Sequence, residues 1–129
     1  MLNDRLYYPY RTQRNALKPA VLIATGSPFD PIQYQGAYYP IAQCNNALVF
    51  PGLGLGLMVS QAKMMSDECL WQACKALSQF SPLRESSTGP LVPNLEHAKE
   101  VRKRIALAVA DQVYSEGNAQ AQLVGSLSE

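Results

Sequence analysis

Val21-Leu22-Ile23-Ala24-Thr25-Gly26-Ser27-Pro28 is the stretch on which the fold turns. A short unbroken apolar run entering a Thr/Gly/Ser/Pro turn has the pattern of a buried strand in a parallel sheet covered on both faces. Upstream, residues 1–19 contain Pro9 and Pro19 and hold no sustained period, so residues 1–17 read as an irregular arm. Downstream, Asp30-Pro31 and Gln35-Gly36 punctuate a loop or small hairpin that reaches Gln43. No second strand is evident to pair with the first, and an unpaired strand leaves backbone groups and apolar surface exposed to self-association.

The remainder reads as helical. Pro51 and Gly52 open a Gly/Leu alternation, and a helix is expected over Leu57 to Met65. Ser66 suits an N-cap, with Asp67 and Glu68 at the positive end of the next helix dipole. Leu70, Ala73, Leu77 and Phe80 repeat at helical spacing as its apolar face, and Ser81-Pro82 ends it. A loop covers about Arg84 to Pro93. The longest helix starts at Asn94, with Ala98, Val101, Ile105, Ala108 and Val109 on its buried stripe and Lys99, Arg102, Lys103 and Arg104 mostly in water. Gly117 is placed to stop it. Residues 118–129 are small and polar and read as a flexible tail. The fold class is therefore an α/β fragment, a terminal strand and loop followed by about three helices, predominantly α.

Bulk properties exclude several functions. The 129 residues make one domain of ordinary size, and 47% hydrophobic content supports a modest core. A formal net charge of +1 creates no field to recruit nucleic acid or an anionic membrane. The basic, aromatic stretch Arg5 to Arg14 could stack on bases, but its shortness and the neighbouring Asp4 suit a loose terminal arm better. No apolar run approaches the roughly 20 residues that span a bilayer, and the first residues lack the order of a signal peptide. Cys44, Cys69 and Cys74 leave one thiol over in any internal pairing, so reduced cysteines and a cytoplasmic location are expected.

Few residues offer chemistry. His97 is the sole histidine, and Cys69 and Cys74, five apart, fall on different faces of a helix, so no metal site is expected. Ser27 and Ser60 have no evident base partner. Gly52, Gly54 and Gly56 spell G-x-G-x-G, but Leu57 breaks the dinucleotide fingerprint, and close backbone packing is the better reading. Asn45-Asn46 is the most suggestive pair. Adjacent carboxamides offer NH2 donors to a carboxylate and carbonyls to a hydroxyl, which suits a hydroxy acid. An Asn-Asn turn bonding its own backbone is an equal alternative.

Three blocks in order, Ala24-Thr25-Gly26-Ser27-Pro28-Phe29, Gln43-Cys44-Asn45-Asn46 and Phe50-Pro51-Gly52-Leu53-Gly54-Leu55-Gly56, resemble the C-terminal region of malic enzymes. Ser66-Asp67-Glu68, Ser81-Pro82-Leu83 and Gly89-Pro90-Leu91-Val92-Pro93 continue the likeness, which runs from about Lys18 to Gly117. The resemblance implies oxidation and decarboxylation of malate to pyruvate with NAD or NADP, and a divalent Mg or Mn acting as Lewis acid in the complete enzyme. It implies that Asn45 and Asn46 bind malate, that Asn46 also lies beside the nicotinamide, and that Gly26 lets backbone approach the cofactor. It further implies that residues 18–45 end a Rossmann-type cofactor domain. Residues 46–117 would then be a helical return segment packing on the catalytic domain.

The sequence departs from the family where catalysis needs it. No segment matches the family's tyrosine acid, lysine base, metal-binding Glu and Asp-Asp carboxylates, pyrophosphate-binding Gly-rich turn or Ser-Asn-Pro loop. Gln61 stands where a small residue is usual. The resemblance thus implies a chain inactive alone, holding malate and NAD(P) only with the missing N-terminal part. A non-catalytic remnant or interaction module is the alternative, and malolactic enzyme shares this region within the enzyme class.

Overall fold

Ile23–Thr25 forms strand β1, and its partner is a strand that the sequence does not announce. The structure, a computed structural model, describes residues 22–86 and 88–122; the arm 1–17, Val21 and residues 123–129 lie outside them. β2 (Ile32–Tyr34) and β3 (Ala37–Tyr39) pair as an antiparallel hairpin. Gln35 and Gly36 both adopt positive φ at its tip, the turn whose twist matches that of the flanking strands. β4 (Ile41–Gln43) then returns parallel to β1 in the register Ile23↔Ile41, Ala24↔Ala42, Thr25↔Gln43. The expectation of an unpartnered strand is thereby corrected. The hairpin serves as the long crossover that any parallel pair requires.

The helical layer begins at Asn45, whose side chain accepts from the Ala47 N–H and caps a 3-10 turn, Asn46–Leu48. The chain runs on into α1 (Phe50–Ser60), with Pro51 in the first turn, where its missing N–H costs nothing. The helix expected over Leu57–Met65 thus starts earlier and stops sooner. Glycine costs a helix about 1 kcal/mol relative to alanine, which is why the G-x-G-x-G stretch argues against helix locally. Tertiary packing overrides that cost, because Gly52 and Gly56 are four apart and bring their backbone against α3 (Ala98–Ser115). Gln61 ends α1 at φ 49°, and its N–H and that of Ala62 bond the Met58 and Leu57 carbonyls. A left-handed backbone here is a conformation that glycine adopts without the penalty a Cβ brings, so Gln61 holds it at some strain.

Ser66 accepts from the Cys69 N–H at 3.1 Å and starts α2 (Asp67–Ser78), with Asp67 and Glu68 in its first turn. Its buried face is Cys69, Ala73 and Ala76, flanked by half-buried Leu77 and Phe80. Leu70 turns outward, so the expected stripe is displaced by one residue. Asn94 caps a 3-10 turn, Leu95–His97, and α3 follows directly. Val101, Ile105 and Val109 are buried as the spacing predicts. Ala106 and Val113 join them, whereas Ala98 and Ala108 are only half-buried.

One apolar cluster holds the three helices: Leu53 from α1, Cys69, Ala73 and Ala76 from α2, and Val101, Ile105, Val109 and Val113 from α3. Each of the larger residues stabilises by about 1.5–3 kcal/mol through burial. Gly117, at φ 65°, ends α3 with bonds from Gly117 and Asn118 N–H to the Tyr114 and Val113 carbonyls. Asn118 does not then drift free. Its carbonyl accepts from Lys63 N–H, its side chain donates to Met64 O, and Ala119 bridges Ala62. The C-terminal ends of α1 and α3 are thereby tied together.

Candidate functional site at the carboxyl ends of a parallel strand pair

The β1–β4 register decides where Gly26, Asn45 and Asn46 lie. Thr25 faces Gln43 as the last pair, so Gly26 and Cys44 leave the two strands side by side. The Cys44 N–H donates to Thr25 O at 2.8 Å and extends the pairing by one step. The three residues singled out from sequence therefore emerge from the carboxyl ends of adjacent parallel strands. That is where ligands bind in open α/β sheets.

Each residue meets a distinct local constraint. Thr25 Oγ1 donates to Ser27 O at 2.8 Å, closing the turn around Gly26. A Cβ placed on Gly26 would meet nothing within 4 Å, and the residue is exposed. The fold itself therefore does not require a glycine at this position. Asn45 is half-buried and accepts from Ala47 N–H at 2.9 Å through Oδ1. The backbone-capping role weighed for the Asn pair is thus real for Asn45, and it fixes the carboxamide while leaving its NH2 as donor. Asn46, first residue of the 3-10 turn, is exposed.

A groove of about 290 Å³ runs alongside, lined by Pro28, Phe29, Gln43, Pro93, Asn94 and Leu95 among others. Sequence reasoning passed over Gln43 and Asn94 as lining residues. The nearest signal was the Gly89-Pro90-Leu91-Val92-Pro93 block, which brings Asn94 there. Neither Gly26–Phe29 nor Gln43–Ala47 contains a charged residue. Such a site recognises by amide and backbone hydrogen bonds, and the exposed Cys44 thiol is the one titratable side chain in these two segments.

The other candidates lie elsewhere. Ser60 is buried and donates to Gly56 O at 2.7 Å, a bond within its own helix. Cys69 is buried, Cys44 and Cys74 are exposed, and His97 is exposed before α3. Among the described residues no three His, Cys, Asp or Glu side chains converge as metal ligands would. The Glu116 carboxyl, held below the usual range by hydrogen bonds from Gln112 and then Ser66, belongs to the end of α3. Among the described residues no helix is long and apolar enough to cross a membrane.

Comparison with known proteins places this arrangement. The family model described as "Malic enzyme, NAD binding domain" matches residues 13–114. The NAD-dependent malic enzyme of Aliivibrio fischeri (strain MJ11) is 50% identical over 98 residues, 76% of this chain and 17% of that protein. That of Photorhabdus laumondii subsp. laumondii is 46% identical over 110 residues, 85% of this chain and 20% of that protein. The chain thus spans about a fifth of the length of the curated relatives it matches. Among solved structures, the Entamoeba histolytica malic enzyme superposes with a TM-score of 0.68 at 23% identity, covering 91% of this chain and 21% of that one. That likeness shows the fold, an α/β fragment with a Rossmann-like strand end and three helices. Since the family model covers most of the sequence, strand pair and helical layer alike, the chain belongs to the malic enzyme family, within its NAD-binding domain.

Proposed function

We propose that this chain is the C-terminal part of an NAD-dependent malic enzyme, which oxidatively decarboxylates malate to pyruvate and CO2. In this reading Asn45 and Asn46 grip malate, and Gly26 and Asn46 lie against the nicotinamide cofactor. Residues 18–45 close the cofactor domain, and 46–117 return to pack on the catalytic domain. The observation that carries the reading is the β1–β4 register, which brings Gly26 and the Asn pair to the same carboxyl end. The open space over Gly26 supports it, since a glycine without an internal reason for being glycine suits close approach by a ligand. The names of the bacterial relatives support NAD over NADP.

The divalent metal usual in the family does not fit the residues described here, because no ligand group is assembled. Metal, acid and base would all come from the missing part, and the chain alone turns over no malate. What these residues contribute is binding: the Asn45 NH2, oriented by its cap, donates to a substrate carboxylate, and Asn46 offers a second amide.

The test is a chimera in which residues 22–122 replace the matching region of the Photorhabdus laumondii enzyme. Malate-dependent NAD reduction is expected. Asn45→Ala and Asn46→Ala should each lower kcat/KM for malate at least tenfold, about 1.4 kcal/mol of lost transition-state binding. Gly26→Val should weaken NAD while leaving Tm unchanged. A folded, active chimera indifferent to both alanine substitutions would overturn the assignment of the Asn pair.

A further inference from the structure

The groove beside the Asn pair is walled by five prolines, Pro28 and Pro93 among them, together with Phe29, Val92 and Leu95. A proline ring fixes its own φ, so such walls are stiff before anything binds. None of the lining residues is charged, and Gln43 and Asn94 are the two whose side chains can hydrogen-bond. Among the described residues the Gln43 carboxamide, half-buried at the end of β4, has no partner. An amide withdrawn from water and left unpaired is costly, and a bound group that pairs with it would recover that cost. Asn94 Oδ1 is taken up by the Glu96 N–H at 3.4 Å, which leaves its NH2 as a donor. At about 290 Å³ the groove is close to the roughly 300 Å³ at which small-molecule sites begin.

We propose that this groove takes the nicotinamide ring of the cofactor, with Gln43 and Asn94 binding its carboxamide, a step that rests on the reading of the Asn pair as malate-binding. Anionic groups are excluded first. A phosphate or carboxylate placed between apolar walls without a cation would lose its hydration and gain nothing in return. A flat ring suits stiff proline walls, and Phe29 supplies an aromatic surface for the delocalised charge of the oxidised ring. A primary carboxamide then needs one acceptor and one donor. Asn94, its oxygen occupied, supplies the donor to the ring's carbonyl, and Gln43 Oε1 accepts from the ring's NH2. Adenine is also flat and uncharged, but Gln43 stands two residues before Asn45. The groove is therefore beside the substrate amides, not at the far end of a dinucleotide.

Calorimetric titration of the chimera in the absence of malate tests this by binding alone. The two ligands are NAD and 3-acetylpyridine adenine dinucleotide, in which a methyl group replaces the carboxamide NH2. Gln43→Leu should weaken NAD about fivefold, as one neutral hydrogen bond is lost, and leave the analogue unchanged, because the analogue has no NH2 to offer. Asn94→Asp keeps an oxygen for the Glu96 N–H and loses the donor, so it should weaken both dinucleotides alike, again about fivefold. Gln43→Leu acting equally on both ligands or on neither, or Asn94→Asp acting on neither, would overturn the proposal and leave the assignment of Asn45 and Asn46 standing. A folded chimera that binds no NAD would overturn it together with the reading on which it rests.

Discussion

A Cβ built on Gly52 would lie 2.7 Å from Ile105 Cβ and 2.8 Å from Arg102 O, and one on Gly56 would lie 2.7 Å from Ala106 O. Both neighbours include backbone of α3, which cannot swing aside as a side chain tip can. On Gly54, between them, an added Cβ would meet nothing within 4 Å. Three glycines that look equivalent in sequence therefore have opposite energetics. Gly52→Ala and Gly56→Ala should each destabilise by about 1–3 kcal/mol, the usual cost of forcing extra atoms into a packed contact. Gly54→Ala should stabilise by about 0.5–1 kcal/mol, because alanine loses less backbone freedom in a helix. Urea unfolding at low micromolar chain concentration reads all three. Equal losses at positions 52, 54 and 56 would mean that the glycines serve some other purpose than the α1–α3 approach.

Between elements, the start of α2 is tied to the end of α3 by polar groups as well as by the apolar cluster. Ser66 Oγ donates to Glu116 Oε1 at 2.7 Å while accepting from Cys69 N–H, and Gln112 Nε2 donates to the same carboxylate oxygen at 2.8 Å. These bonds favour the ionised form, so the Glu116 pKa in the folded chain lies below its unfolded value. The linkage then has a definite sign: the tie stabilises fully above the unfolded pKa and is lost as pH falls through the lower folded one. Glu116→Gln should therefore lower Tm at pH 7, by a few degrees at most for so exposed a group. The gap to wild type should close as pH drops below the usual carboxylate range. A gap that stays constant down to pH 3 would show that charge has no part in the tie. Such element ends were legible in the sequence wherever one residue carries the signal, as at Ser66, Asn94 and Gly117. They were illegible where packing overrides a local cost, as in α1. β4 escaped notice because three residues behind Pro40 carry too short a pattern to separate strand from loop. The site was half legible for the same reason. The blocks holding Gly26 and Asn45-Asn46 stand out, but only the β1–β4 pairing reveals that they share one end.

Across the whole molecule, the apolar cluster draws on the helices alone, and neither Ile23 nor Ala42, though buried, belongs to it. β1 and β4 form a sheet of two three-residue strands, and β2 and β3 form another. Pairs this short are marginal in water without further strands or a covering layer. Stability should accordingly be graded, with the helical layer opening only on global unfolding and the strands opening locally. Hydrogen exchange at neutral pH would display this as protection of roughly 1,000-fold or more at Ile105, Val109 and Val113, against less than about 100-fold at Ala24 and Ala42. If the chain completes a malic enzyme, the same strand amides should gain protection in the chimera, where the parent sheet supplies neighbours and cover. Strand amides as protected as α3 in the isolated chain would show that the strand end stands without that sheet. Strand protection unchanged in a folded chimera would mean that the parent sheet had not been joined.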